Sequence, residues 1–86
     1  MTITVTVDWQ TDRLAPVEDQ LVLTAPSGLQ YIGGCGYCSS DGGYTHSVTR
    51  GAPCEPGWWK FVVKSTRQGF TKRGSDQGKF LVNCLD

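Results

Sequence analysis

The sequence predicts an all-β, mostly antiparallel fold: a small barrel or sandwich of five to seven short strands with Gly-rich loops, stapled by cysteine or metal. Three observations predict it. Residues 2–9 alternate strictly, with Ile3, Val5, Val7 and Trp9 on one face and Thr2, Thr4, Thr6 and Asp8 on the other, which is the period of a half-buried strand. Trp58 to Ser65 alternates in the same way, Trp59, Phe61 and Val63 against Trp58, Lys60, Val62 and Lys64. Eleven glycines, frequent threonine and only three alanines describe turns and strands, and no window repeats apolar residues at i, i+3, i+4 and i+7 over three turns.

Along the chain, the strand at 2–9 is followed by a polar stretch, 10–19, with Pro16, which reads as a loop. Gln20 to Ala25 and Gly28 to Ile32 read as two short strands across Pro26-Ser27-Gly28, where proline presets φ and glycine tolerates φ > 0. Gly33 to Gly43, with five glycines and two cysteines, reads as irregular. Residues 44–49 offer a strand with Tyr44, His46 and Val48 on one face, and 50–57 a second irregular segment. After the strand at 58–65, residues 68–73 and 78–85 read as a closing hairpin across Gly74-Ser75-Asp76-Gln77.

Eighty-six residues make one small β domain spanning 1–86, and a domain of that size buries only roughly 60–65% of its unfolded surface. Staples are therefore expected, and the four cysteines supply them at the spacing Cys35-x2-Cys38-x15-Cys54-x29-Cys84. Two thiolates two residues apart in a glycine-rich turn can grip one metal ion, and a tetrahedral zinc then needs two more ligands. The expectation is a structural zinc held by Cys35, Cys38, Cys54 and Cys84, with His46 the alternate ligand in a compact set that leaves Cys84 free. The alternatives are disulfides, pairing Cys54 with Cys84 and Cys35 with Cys38 or a crossed arrangement, or free thiols. Cys35-Gly36-Tyr37-Cys38 also has the spacing of a redox dithiol, but such a pair opens a helix that lowers the first thiol's pKa, and Ser39-Ser40-Asp41-Gly42-Gly43 forbids one.

No nucleotide, Walker or H-E-x-x-H motif occurs, His46 is the only histidine, and Asp8, Asp12, Glu18 and Asp19 read as solvated. The chain is accordingly expected not to be an enzyme. Net charge is zero, divided into two cations against six anions over residues 1–57 and six cations against two anions over residues 58–86, an asymmetry that points either to a polarised surface or to complementarity between two sheets. Adjacent strand residues point to opposite faces, so Trp58 and Trp59 cannot share one core. One of them is exposed, capped by a loop or at an interface, and exposed tryptophan beside cations is hot-spot chemistry.

The expected function is a small binding module for another protein, acting through Trp58, Lys60, Val62 and Lys64. A second reading is a nucleic-acid-binding β-barrel using the basic and aromatic segment 58–79. A third is an extracellular or virion-surface domain with two disulfides. No apolar run reaches the roughly 20 residues a membrane span needs. Met1-Thr2-Ile3-Thr4-Val5 has no signal-peptide character, which predicts a cytoplasmic protein if Met1 is the native start and an exported one if it is not.

Overall fold

Seven strands form two antiparallel sheets with no helix in the computed structural model, which describes the backbone of residues 1–73 and 77–84, and the side chains of these except 38–41 and 73. The strands are β1 (Thr2–Trp9), β2 (Ala15–Thr24), β3 (Gln30–Asp41), β4 (Thr45–Gly51), β5 (Gly57–Arg67), β6 (Lys72–Arg73) and β7 (Gln77–Val82). One sheet has the order β4-β1-β6 and the other β3-β2-β5-β7. Neither closes into a barrel among the described residues.

The period-2 alternation fixes which side chains face inward. Val7, Trp9 and Val48 from the first sheet meet Leu21, Leu23, Trp59 and Val63 from the second in one buried cluster. Trp59 is fully buried and its Nε1 donates to Glu55 O (2.8 Å). At full burial each of these side chains contributes roughly 1.5–3 kcal/mol of hydrophobic stabilisation. The turn at Pro26-Ser27-Gly28 forms as expected: Gly28 has φ +97° and donates to Ala25 O, and Ala25 donates to Leu29 O.

Three segments differ from their sequence reading. The first is the expected loop at 10–19, half of which belongs to β2. Ala15, Val17, Asp19, Leu21 and Leu23 are all inward, so the alternation starts earlier than the apolar residues alone suggest. Pro16 is tolerated because it sits at a register shift between Ala15 and Val17, before the pairing with β5 begins at Val17.

The second is Gly33–Gly43, expected to be irregular and found mostly in β3. Gly34 (φ +104°) and Gly36 (φ +65°) supply the conformations that a β-bulge needs, so the ladder with β2 continues through a register shift between Asp19 and Leu21. The third is the closing hairpin. Residues 72–73 pair with Asp8 and Trp9 of β1, whereas β7 pairs with β5, and 74–76 lie outside the described residues. Phe80 and Val82 pack against the core cluster beside Trp59, which draws β7 to the second sheet.

A buried arginine ties the loops at one end. Arg67 is 1% exposed. Its Nη1 donates to Thr11 O (3.1 Å) and Gly43 O (2.9 Å), and its Nη2 donates to Arg13 O. The guanidinium also lies over the rings of Trp9 and Phe70, where a planar cation gains from the aromatic quadrupole.

Candidate functional site

Trp58, Lys60, Val62 and Lys64 share the solvent face of β5, with Trp59, Val63 and Ser65 buried on the other side. Trp58 is 56% exposed while its neighbour Trp59 is 0%, so the tryptophan left over by the alternation is Trp58. Strand register extends the face across all four strands of the sheet. Ile32, Val22, Val62 and Gln77 form one row, and Gln30, Thr24, Lys60 and Lys79 the next. Trp58 stands opposite Leu81 at the edge, and Leu81 and Ile32 are both exposed.

Two features shape this face. The Lys79 ammonium stands 5.2 Å from the centre of the Trp58 ring, a cation–π contact. Beside it a shallow groove of about 420 Å³ is lined by Lys60, Val62, Gln77, Gly78 and Lys79 over Phe61. Gly78 pairs with Phe61 and leaves room for that ring on the opposite face of the sheet, where a Cβ would lie 2.7 Å from Phe61 Cε1. Lys60, Lys64 and Lys79 make the field cationic, with Glu18 opposite Thr66 in the row after Gln20 and Lys64.

A second constellation lies where the two sheets meet at β3 and β4. Asp19, read from sequence as solvated, is buried, with its side chain only 2% exposed. Its Oδ1 accepts from Cys35 N (2.8 Å) and its Oδ2 is bonded to His46 Nε2, an ion pair when the imidazole is protonated. A buried carboxylate demands such partners, since unpaired burial of the charge costs several kcal/mol. Cys35 Sγ lies 3.0 Å from Oδ1. Gly34 lets the β3 backbone pass this close, because a Cβ there would stand 2.8 Å from the same oxygen. The signal that could have found Asp19 is its place at an inward position in the alternation of β2.

Of the four cysteines expected as zinc ligands, the structure brings two together as a disulfide pair. Cys54 and Cys84 form a disulfide with Cα atoms 6.0 Å apart, in the usual range for such a bridge and as the disulfide alternative paired them. Sulfurs joined to each other leave no thiolates for zinc. Cys35 is disulfide-bonded too, and the side chain of Cys38 lies outside the described residues. The expected alternate ligand His46 does come to Cys35, but Asp19 completes the group and Cys54 does not: ligand atoms of Asp19, Cys35 and His46 lie within 4.8 Å of one another.

As chemistry the trio is not a nucleophilic triad. The carboxylate bonds both the imidazole and the Cys35 backbone, whereas that mechanism needs the imidazole between carboxylate and nucleophile, and a disulfide sulfur is no thiolate. Comparison with family models, with curated proteins and with solved structures gives no match.

Proposed function

We propose that this chain is a disulfide-braced, non-catalytic binding module that docks an acidic protein segment with an apolar anchor on the outer face of its four-stranded sheet. The observation that carries the reading is the exposure of Trp58 beside Lys60 and Lys79, with an aliphatic row of Ile32, Val22 and Val62 on the far side of the two lysines. An aromatic already in contact with a cation loses less side-chain entropy on binding, and lysines around it favour carboxylates and speed their approach. A single-stranded nucleic acid is the weaker fit. Stacked bases need open ring faces, and on this face Lys79 already stands over Trp58, whose partner in register is the aliphatic Leu81. The disulfides favour an oxidising setting, in line with the extracellular or virion-surface alternative.

Selection from a displayed random-peptide library tests the reading. Enriched peptides should carry Asp or Glu around an aromatic or aliphatic residue, and their binding should fall at least tenfold for Trp58→Ala and for the Lys60→Glu, Lys79→Glu double variant. Enrichment indifferent to both variants overturns it. Tighter, salt-sensitive binding of a labelled oligonucleotide by the same face transfers the site to nucleic acid.

A second reading rests on the Asp19, Cys35 and His46 grouping. After a dithiol reductant converts the Cys35 disulfide to thiols, one sulfur, one nitrogen and one oxygen would converge in the donor set that zinc accepts. Calorimetric titration of the reduced protein with zinc, repeated on His46→Ala, tests it; equal uptake by both proteins rejects it.

A further inference from the structure

We infer that the open edge of β1 is a self-association site, where two copies of this chain pair antiparallel through Thr2–Thr6 about a twofold axis at Thr4. Hydrogen-bond phase identifies the free groups. In an antiparallel pair, alternate residues exchange both backbone bonds with the partner strand. At one end of β1 the Met1 ammonium donates to Ala52 O (2.7 Å) and Ala52 N to Met1 O (2.9 Å), and at the other Trp9 N donates to Tyr44 O (2.7 Å). The register with β4 runs without a shift between them. Odd-numbered residues therefore face β4, and the N–H and C=O groups of Thr2, Thr4 and Thr6 point to the opposite edge. There β6 pairs only with Asp8 and Trp9. Three donors and three acceptors stay unpaired among the described residues.

What lies beside this edge is also unfinished. A groove of about 470 Å³ runs along Thr2–Thr6, walled by Phe61 and Phe80. Ile3 and Val5 are only partly buried against the core cluster. Proteins ordinarily blunt a strand edge with charge, proline or a bulge, and the outer edges of β3 and β7 follow that practice. The β3 edge carries Gly34 and Gly36 at its irregularities and has Ile32 O occupied by Arg50 Nε (3.0 Å). Strand β7 carries Gly78 and Lys79, and the disulfide at Cys84 follows it. Residues Thr2 to Val7 have none of these devices.

The occupant follows from complementarity. Partial charges alternate along the edge, N–H positive and C=O negative, and the same edge turned by a twofold presents them in matching opposition. No formal charge lies between Thr2 and Val7, so two copies meet without repulsion. The run Thr2-Ile3-Thr4-Val5-Thr6 has the same polar–apolar order in both directions. With the axis at Thr4, Thr2 faces Thr6 of the second copy, Ile3 faces its Val5, and Thr4 faces Thr4. Three residue pairs exchange six backbone hydrogen bonds, and the apolar grooves of both copies come together under the joined sheet.

Sedimentation equilibrium of the full chain across micromolar to millimolar concentration, together with amide hydrogen exchange read by NMR, tests the inference. The expected result is a monomer–dimer equilibrium in which the amides of Thr2, Thr4 and Thr6 gain protection as concentration rises, while those of Ile3 and Val5, already bonded to β4, do not. Thr4→Pro removes one free-edge donor and leaves the β4 ladder intact, so the folded circular-dichroism spectrum should persist while dimer dissociation rises at least tenfold. Thr4→Lys, which keeps the backbone donor but places charge at the axis, should weaken the dimer in the same direction. A monomer at every concentration overturns the inference. So does a dimer whose three threonine amides stay unprotected, or one abolished by Trp58→Ala and untouched by both Thr4 variants.

Discussion

The margin where β3 meets β4 and the margin where β1 faces β7 close the same two sheets by opposite means. At the first, polar groups join the sheets: Asp19 of β2 is bonded to His46 of β4, and Arg50 of β4 reaches Ile32 O of β3. At the second, among the described residues, Phe61 and Phe80 look across a groove at Ile3 and Val5 with no such bond between them. The difference teaches that burial alone does not finish a two-layer fold of this size. A margin is sealed where directional bonds hold it and stays open where only partly buried aliphatics line it.

Four measurements break or sharpen this contrast. The largest effect is expected from replacing Cys54 and Cys84 together by alanine. Their bridge closes a loop across a sequence separation of 30, which the chain-entropy model values at about 3–4 kcal/mol. Urea denaturation should show that loss, with β7 fraying first in hydrogen exchange. At the polar margin, His46→Ala leaves one oxygen of a buried carboxylate without its imidazole. The expected cost is about 2–3 kcal/mol, read from the same denaturation curves.

Smaller effects belong to the open margin and the outer face. Val5→Ala removes two methyl groups from a partly buried site and should cost about 1 kcal/mol in thermal unfolding of the monomer. A loss equal to that of His46→Ala would erase the distinction between the margins. Trp58→Ala touches an exposed side chain and should change stability by no more than about 0.5 kcal/mol, while removing the peptide binding proposed for that face. A large stability loss there would make Trp58 part of the framework.

Much of the framework was legible. Strands β1 and β5 could be read because each alternates over its whole length between unlike neighbours, and the same alternation placed Trp58, Lys60, Val62 and Lys64 together. The rest was hidden for identifiable reasons. Pro16 and the polar run before it masked the start of β2, because local chemistry argues for a loop where the register shift removes the objection. The glycines of β3 read as breakers although they act as bulge residues. Asp19 was misread because a charge at an inward position looks like a solvated one until its partner is known, and that partner comes from β4, 27 residues away. Lys79, Leu81 and Ile32 joined the face around Trp58 only through register, which no single strand encodes. The cysteine pairing was hidden at the same level: spacing left several partners open to Cys54, and the topology brings it to Cys84.

Arg67 has a consequence for the order in which the molecule assembles. Its three carbonyl acceptors lie 24, 54 and 56 residues away in sequence, on the stretches between β1 and β2 and between β3 and β4. No local fragment can present them, so the guanidinium finds its seat only after both sheets have docked. Contacts of such long range form late and slow the folding of β proteins. An interaction completed after the transition state acts mainly on the rate of unfolding. The buried arginine is in that sense a latch: it sets how long the native state persists more than how quickly it is reached.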